Sequence, residues 1–340
     1  MERNKKKYDW LLIFYYYKFM NFAVIGLGSF GIKRATAIKN SKQANLVVIS
    51  ELDEKRAVKA KETLQVPVSD YNEILKNKKI DVICVCTPNK FHKKIIIDTL
   101  NAGKHVFCEK PYVRNVAEAK EIYDVSKKSK GILQLASNHR FFESVMYARK
   151  LVDEGTIGKV LSFNGRIGHN GERLKDSWFW KKEISGGGTL LDNGCHLLDL
   201  SRLFIGNFVS GTGLTSNVYW KNIEVEDTAS GIFKTEDGRT ATIFCSWRLF
   251  SGYFFFEING SEGYINVDGR FDTHGGDKIF WSSKREKKIL SKDFSHIKPN
   301  SYQLEIDNFV SNIENKKECS PSANDALEVM RMISFVYKDK

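Results

Sequence analysis

A glycine-rich segment directly after the first strongly apolar stretch of the chain does most to constrain its fold. Residues 22–25 read Phe-Ala-Val-Ile, and they run into glycines spaced G-x-G-x-x-G. This spacing between a buried strand and a helix is typical of dinucleotide binding, because glycine permits a tight turn and a close approach of the pyrophosphate to the backbone. Free N–H groups at the start of the helix then face the phosphates. The segment predicts a dinucleotide site formed by Gly26, Gly28, Ser29, Phe30 and Gly31.

A second apolar stretch supports this prediction and bears on the identity of the dinucleotide. Residues 46–49 are apolar and end in Ser50-Glu51, about 25 residues after the first glycine, where an acidic side chain binds the ribose hydroxyls. Glu51 would accept hydrogen bonds from both hydroxyls and would repel a 2′-phosphate, so the sequence favours NAD over NADP. Lys55 and Arg56 follow closely and could bind a phosphate, which leaves NADP as the alternative.

The first part of the chain alternates short apolar segments with helix-forming segments, which is typical of a doubly wound parallel sheet. We expect six parallel strands, at residues 22–25, 46–49, 66–68, 81–86, 105–108 and 133–137. Ligands of such sheets bind beyond the carboxyl ends of the strands. That edge is predicted to hold further cofactor contacts from Thr87, Pro88, Asn89, His92, Glu109 and Lys110. In Glu109-Lys110-Pro111 the lysine follows a buried strand directly, and this position favours a catalytic role for Lys110 over that of an ordinary surface lysine.

The second part of the chain changes character near residue 139. Alternating apolar segments at 160–167, 208–220, 227–234, 241–249, 253–258 and 262–267 predict a mostly antiparallel sheet. We therefore expect an α/β protein, with an N-terminal Rossmann domain at 20–138 and a C-terminal α+β domain with a large open sheet at 139–340. Helices are predicted at 143–154, 302–315 and 324–337.

Residues 1–19 match neither domain. Basic residues precede an aromatic run from Trp10 to Tyr17, which is too short to span a bilayer and lacks the cleavage site of a signal peptide. Met20 stands immediately before the first predicted strand. We therefore expect Met20 to be the natural start, with a loose surface anchor as the alternative role for residues 1–19.

Composition excludes several classes of partner. The net charge is +12, but the lysines are scattered in short groups among acidic residues, and no basic stripe with interleaved aromatics indicates nucleic-acid binding. The 6 cysteines form no C-x-x-C pair, so reduced thiols packed as small apolar groups are expected, which fits a cytoplasmic protein. We expect a small-molecule substrate, with neither nucleic acid nor membrane as a partner.

A second glycine-rich segment carries acid–base residues. Three glycines at 186–188 precede Asp192, His196 and Asp199. Asp192 and His196 are four residues apart and would share one face of a helix, where a carboxylate can orient an imidazole and stabilise its protonated form. Bracing of a core helix is the alternative for this pair. Two such ligands without a third are insufficient for a metal, and none is expected.

Three motifs, in this order, resemble the glucose-fructose oxidoreductase / inositol dehydrogenase / MocA family: the G-x-G-x-x-G segment, Glu109-Lys110-Pro111, and the stretch from Gly186 to Asp199. The resemblance runs from about Met20 to the C-terminus. It implies a nicotinamide-dependent oxidoreductase acting on a sugar, nucleotide-sugar or cyclitol. It also implies a homodimer or homotetramer formed through the open sheet. Carried over by motif, Lys110 is the catalytic lysine, His196 is the base with Asp192 beside it, and the bond before Pro111 is cis.

One stretch departs from the family pattern, which often has Trp-Arg before the three glycines. Here the sequence reads Trp178-Phe179-Trp180-Lys181, with phenylalanine at the position expected for arginine. We expect hydride transfer between NAD and a ring hydroxyl or keto group. The alternatives are an NAD-dependent glycosidase of the same family and a non-catalytic dinucleotide-binding regulator. Substrate contacts are predicted for Asn138, Arg140, His169, Arg173, Asp192 and His196.

Overall fold

The computed structural model describes residues 19–217, 219–269 and 277–338, so the expectations for residues 1–18 lie outside the described part. Its first half contains five strands: β1 (Met20–Ile25), β2 (Ala44–Ser50), β3 (Val82–Val85), β4 (His105–Cys108) and β5 (Leu133–Leu135). Five helices accompany them: α1 (Ser29–Asn40), α2 (Glu54–Leu64), α3 (Tyr71–Lys76), α4 (Asn89–Asn101) and α5 (Val116–Ser126).

The strands form one parallel sheet in the order β2-β1-β3-β4-β5. The expectation of six strands is wrong, because residues 66–68 contribute only a single bridge between Val68 and Ile49. The reason is local: Pro67 has no backbone N–H and cannot extend a ladder of hydrogen bonds. The parallel, doubly wound character of this part is confirmed.

The second half is built on an eight-stranded sheet. Its strands are β6 (Val160–Gly168), β7 (Ser210–Ser216), β8 (Thr228–Lys234), β9 (Thr240–Ser246), β10 (Tyr253–Gly260), β11 (Gly263–Gly269), β12 (Lys278–Ser283) and β13 (Leu290–Asp293). The order is β13-β12-β11-β10-β6-β9-β8-β7, and the pairs are antiparallel except for β6 with β9. A mostly antiparallel open sheet is therefore confirmed, and β12 and β13 are additions that we did not predict.

The described part of this half also contains five α-helices, three of which pack against the large sheet. They are α6 (Glu143–Asp153), α7 (Lys182–Ser185), α8 (Cys195–Ile205), α9 (Ser301–Glu314) and α10 (Ala323–Tyr337). Apolar residues of α8 and α10 share one buried cluster with strands of both sheets, including Ile83 and Phe163. Because this core is continuous, the edge of the first sheet is held close to the start of α8.

Helix α9 returns to the N-terminal sheet. The ring of Phe309 lies 6.4 Å from that of Phe22 and 5.4 Å from that of Phe107, and all three side chains are fully buried. The end of the chain thus completes the core beneath the first glycine-rich segment. None of the helices in the described ranges is long and apolar enough to cross a membrane.

Candidate active site

The first glycine-rich loop has the shape that its sequence predicts. Gly26 has φ +90°, and a Cβ there would lie 2.8 Å from the carbonyl oxygen of Cys86. A Cβ on Gly31 would lie 2.0 Å from the carbonyl oxygen of Gly26, so both positions require glycine for packing. Gly28 caps α1 with open space around it, and Ser29 and Phe30 begin the helix. The loop leaves a cradle over the free N–H groups of α1.

Glu51 is anchored to this loop at the end of β2. Its carboxylate accepts hydrogen bonds from the backbone N–H of Leu27 at 2.7 Å and from Arg56 Nη2 at 3.0 Å. Burial opposes the charge on Glu51, but the bonds from Arg56, Asp53 and Leu27 outweigh it and hold its pKa below the ordinary value. Leu52, which we did not predict as a site residue, follows Glu51 directly, and its side chain is 96% exposed. A carboxylate next to an exposed apolar side chain suits the ribose and the adjoining nucleobase of a dinucleotide.

The end of β3 contributes one unsatisfied polar group. Thr87 Oγ1 is buried without a hydrogen-bond partner in the described part of the chain, and the Thr87 backbone lies next to Gly26. Pro88 caps α4. Asn89 and His92, predicted here as cofactor contacts, bind the protein's own backbone: Asn89 Nδ2 donates to the carbonyl of Ser185 at 2.7 Å, and the His92 ring lies between the carbonyls of Thr87 and Pro111.

Lys110 and Asp192 form a buried ion pair where the two sheets meet. Lys110 Nζ donates to Asp192 Oδ1 at 2.7 Å and to the Asp192 carbonyl at 2.9 Å. Burial alone would lower the pKa of Lys110, but Asp192 raises it. Burial likewise opposes the charge on Asp192, yet Lys110, His169 and Arg173 hold its pKa below the ordinary value. Lys110 Nζ is 5.7 Å from the Phe30 ring centroid, so the pair lies beside the phosphate loop, and the Lys110–Pro111 bond is cis.

His196 does not pair with Asp192 as the spacing predicts. Residues Leu190–Gly194 form a π-helix before α8 begins, which changes the angular offset between the two side chains. The Asp192 carboxylate receives Lys110 and Trp247 Nε1 instead. The ring of His196 contacts the ring of His139, with centroids 3.8 Å apart. Burial, followed by His139 and Lys110, holds the pKa of His196 well below 6.5, so its imidazole is neutral.

Glu109 lies in a buried charge cluster next to the ion pair. Its carboxylate pairs with Arg34 Nε on α1 and accepts the backbone N–H of Lys110. Arg34 Nη1 also donates to Glu305 on α9 at 2.6 Å. Burial raises the pKa of Glu305 to about 7 against the opposing effect of Arg34. Glu109 therefore holds the backbone N–H of Lys110 in place. Glu305, 271 positions after Arg34 in the sequence, completes the cluster.

The predicted substrate residues separate into two groups. Arg140 binds Asp199 through Nε at 2.7 Å and Nη2 at 2.5 Å, and Asn138 Nδ2 donates to Ser301 Oγ at 3.3 Å, so both brace neighbouring elements. His169 Nδ1 accepts the N–H of Gly171 at 2.9 Å. His169 and the exposed Arg173 both contribute to the lowered pKa of Asp192, so both lie within electrostatic range of its carboxylate.

Residues 178–180, in the stretch that departs from the family pattern, form part of an aromatic surface. Phe179 stacks on Trp178 with ring centroids 3.9 Å apart. Trp180 packs near Trp220 at 5.4 Å and shares a buried cluster with Trp247. Phenylalanine at the expected arginine position is therefore part of an apolar surface.

Sequence reasoning missed several residues of the site, and the signals for them were weak. The available signal for His139 was its position between two predicted substrate residues, on the chain segment that follows β5. Trp247 follows β9, and its indole reaches Asp192 across 55 positions of sequence. Arg34 and Glu305 are 271 positions apart. Only the folded chain brings these side chains together.

The residues present fit a bound dinucleotide. Glu51 with the exposed Leu52, the open cradle at Gly28, the unpartnered Thr87 Oγ1 and the ion pair follow the ends of β2, β1, β3 and β4, which are neighbours in that order along the carboxyl edge of the parallel sheet. A ribose, the phosphates and a reactive ring would meet a matching group in that order. Among the described residues, no cluster of three or more His, Cys, Asp or Glu side chains could hold a metal ion.

This fold and this site together define a dinucleotide-dependent oxidoreductase. The family model described as an oxidoreductase family with an NAD-binding Rossmann fold matches residues 20–137, and the GFO/IDH/MocA C-terminal domain matches residues 145–266. The chain belongs to the GFO/IDH/MocA family of oxidoreductases. The predictions of the family, of the fold class and of NAD as the cofactor are confirmed.

Curated relatives cover much of the chain. Myo-inositol 2-dehydrogenase from Thermotoga maritima is 31% identical over 264 residues, which are 75% of this chain and 77% of that protein. Levoglucosan dehydrogenase from Pseudarthrobacter phenanthrenivorans is 29% identical over 224 residues, 58% of this chain and 57% of that protein. 2,7-anhydro-N-acetylneuraminate hydratase from Escherichia coli is 28% identical over 255 residues, 73% of this chain and 68% of that protein.

Solved structures share the whole architecture. A levoglucosan dehydrogenase in complex with NADH superposes with a TM-score of 0.85 at 23% identity, covering 94% of this chain and 96% of that one. Aldose-aldose oxidoreductase from Caulobacter crescentus, complexed with glycerol, gives 0.84 at 22% identity, covering 94% and 97%. At this identity the likeness shows the common fold.

Proposed function

We propose that the chain is an NAD-dependent dehydrogenase that interconverts a ring hydroxyl and a keto group on a sugar, nucleotide-sugar or cyclitol. The observation that carries this proposal is the buried Lys110–Asp192 pair with neutral His196 close by, beside the phosphate loop. A proton acceptor and a fixed cation in one cleft suit the removal of a hydroxyl proton. A non-catalytic dinucleotide-binding regulator would need neither group.

Each side chain has a distinct task in this proposal. When bound, the nicotinamide ring supplies the hydride acceptor. Neutral His196 takes the proton of the substrate hydroxyl, a contribution worth roughly 10²–10⁴-fold in rate. Lys110 donates a hydrogen bond to the same oxygen and stabilises negative charge that develops there. Asp192 holds Lys110 in place and keeps it protonated.

The substrate class is proposed from relatives and from the charge of the site. Two of the relatives are named for dehydrogenation of levoglucosan and of myo-inositol, both of which carry ring hydroxyls. His169 and Arg173 near Asp192 are the substrate contacts that we retain as proposals, because both contribute to its lowered pKa and Arg173 is exposed. The positive charge of Arg173 suits a substrate with a phosphate or carboxylate, as in a nucleotide-sugar.

A homodimer or homotetramer formed through the open face of the large sheet is part of the proposal. That face presents Leu214 and Ile232, which are 76% and 55% exposed, on neighbouring strands β7 and β8. Exposed apolar side chains in one patch are typical of interfaces. Light scattering coupled to size exclusion should give a mass at least twice that of the chain, and a monomer at micromolar concentration would contradict this assembly.

A reaction without net oxidation is the second candidate. One relative is named a hydratase of an anhydro-sugar acid, not a dehydrogenase. The NAD-dependent glycosidase that the sequence left open belongs to the same category, because the cofactor is restored in each cycle. Substrate conversion followed by chromatography, with no accumulation of NADH, would select this candidate over a dehydrogenase.

Binding followed by turnover tests the proposal. The melting temperature should rise with NAD, and rise further with one member of a panel of sugars, inositols, anhydro-sugars and UDP-sugars. NADH formation with that compound should fall about 10²–10⁴-fold in Lys110→Ala and in His196→Ala, while the shift with NAD stays. His296→Ala, at an exposed position, is the matched control. Near-normal turnover in both site variants would overturn the assignment.

A further inference from the structure

Trp247 lies directly behind the ion pair. It follows β9, its side chain is 0% exposed, and its Nε1 donates to Asp192 Oδ2 at 3.2 Å. Its backbone is fixed on both sides, because its N–H donates to the carbonyl of Asp227 at 2.7 Å and its carbonyl accepts Trp220 Nε1 at 3.1 Å. Indole has a single donor, and here that donor is used on Asp192.

The two oxygens of the Asp192 carboxylate therefore have different partners. Oδ1 receives Lys110 Nζ and Oδ2 receives Trp247 Nε1. With a donor fixed on Oδ2, the carboxylate plane cannot rotate without breaking a charge-assisted hydrogen bond. Lys110 in turn uses two of its three N–H groups on Asp192, one on Oδ1 and one on the carbonyl. The direction of the third N–H follows from the orientation of the carboxylate.

We propose that Trp247 is a positioning residue that fixes the Asp192 carboxylate and thereby aims the remaining N–H of Lys110 at the substrate oxygen. Trp247 acts through Asp192 and does not touch the substrate, because its side chain is fully buried. The role assigned to the third N–H rests on the proposed function. The hold of Trp247 on Asp192, and of Asp192 on Lys110, does not depend on that function.

The charged and titratable groups around Asp192 determine what happens to Lys110 if the Asp192 carboxylate moves away from it. Lys110 faces it from the end of β4, and His169 and Arg173 face it from the segment after β6. Cys195 Sγ on the following helix contacts the Asp192 carbonyl at 3.3 Å. Lys110 is the group that depends most on the carboxylate, since Asp192 provides the largest contribution that raises the pKa of Lys110. A carboxylate that swings away from Lys110 would leave a buried amine that loses its proton more readily.

Chemical labelling of Lys110 tests this without any substrate. Reductive methylation with formaldehyde and a borohydride modifies the unprotonated amine, and peptide mass spectrometry resolves each lysine. In Trp247→Phe we expect Lys110 to be labelled about tenfold faster at fixed pH, which corresponds to a fall of about one unit in its pKa. Lys104 is an internal reference, because it is buried and donates to the carbonyls of Asn77 and Ile80. Its rate should stay unchanged.

Two further variants separate positioning from loss of packing. Trp281→Phe removes another buried indole, far from the site on β12, and should leave Lys110 labelling as in the wild type. In an Asp192→Asn background, Trp247→Phe should add nothing to the labelling rate. An unchanged rate for Lys110 in folded Trp247→Phe, or an equal effect in both backgrounds, would overturn the inference. If labelling of Lys104 also rises, benzothienylalanine at position 247 replaces the indole without its N–H and decides the same question.

Turnover of the substrate found in the binding panel is an independent test of the role of Trp247. Trp247→Phe should lower kcat about tenfold while KM for NAD stays within about twofold, as expected for one lost hydrogen bond to a charged group. An unchanged kcat together with faster labelling would contradict the claim that Trp247 directs the third N–H of Lys110 at the substrate oxygen. Faster labelling in a chain that turns over no member of the panel would support the positioning and contradict the proposed function.

Discussion

Arg34 on α1 donates to Glu305 on α9 across 2.6 Å, with exposures of 1% and 0%. The same guanidinium pairs with Glu109 and lies 4.5 Å from the ring centroid of Tyr302. A helix that starts at the phosphate loop is thereby joined to a helix near the C-terminus. The backbone of Lys110 is thus held, through Glu109 and Arg34, by a residue near the far end of the chain.

Glu305→Ala should be strongly destabilising for this reason. Glu109 still pairs with Arg34, but Nη1 of Arg34 and the backbone N–H of Ser137 each lose a buried acceptor, and each unsatisfied donor costs about 1–3 kcal/mol. Urea unfolding should show a loss of that size. Glu314→Ala, at an exposed position on the same helix, should change the unfolding free energy by less than about 0.5 kcal/mol. Equal effects of the two substitutions would contradict the importance of the cluster.

Two glycines of the phosphate loop should respond in opposite ways to alanine. Gly28 has φ −65° and nothing within 4 Å of an added Cβ, so Gly28→Ala should leave the unfolding free energy nearly unchanged while the methyl group blocks the pyrophosphate. Gly31→Ala forces a Cβ to 2.0 Å from a carbonyl oxygen and should destabilise the apo protein. Calorimetric titration with NAD and thermal unfolding measure the two effects. Tight NAD binding by Gly28→Ala would contradict the placement of the phosphates.

Local features of this site could be predicted from sequence because neighbouring residues determine them. Strand β1, the glycine spacing and the carboxylate of Glu51 depend on chain segments of a few residues each. Asp53 accepts the N–H of Arg56 as the cap of α2, a contact that spans three residues. Lys110 was placed at the right edge because parallel strands end together.

Contacts made by distant residues could not be predicted in the same way. The π-helix at Leu190–Gly194 breaks the four-residue spacing on which the pairing of Asp192 with His196 was based. Strands β12 and β13 lie at the edge of the sheet and flank a lysine-rich turn, a composition that edge strands tolerate but that resembles loop sequence. A partner such as Trp247 carries no local signal, because only the folded chain brings its indole to Asp192.

Arg56 should influence the choice between NAD and NADP. Its Nη2 lies 3.0 Å from Glu51 Oε1, while the side chain is 57% exposed, so it can turn toward a 2′-phosphate. Arg56→Ala should weaken NADP binding about tenfold and change NAD binding less. Titration of both dinucleotides against Arg56→Ala, with Lys59→Ala as an exposed control on the same helix, gives the ratio of the two affinities. An equal loss for both cofactors would show that Arg56 does not contact the phosphate.

His139 should make the folded protein sensitive to mild acid. Its ring packs among His196, Phe142 and Phe254, and burial, with a contribution from Lys110, lowers its pKa from 6.5 to about 3. Between those values the unfolded chain binds a proton that the folded chain does not bind, so stability decreases as pH falls, by about 1.4 kcal/mol per pH unit. Above 6.5 the contribution is constant. His139→Phe keeps a ring in this apolar site and should make the slope of unfolding free energy against pH shallower by that amount between pH 6 and 4, with pH 8 as the common baseline. Parallel slopes for the two proteins would mean that His139 gains its proton in the folded state.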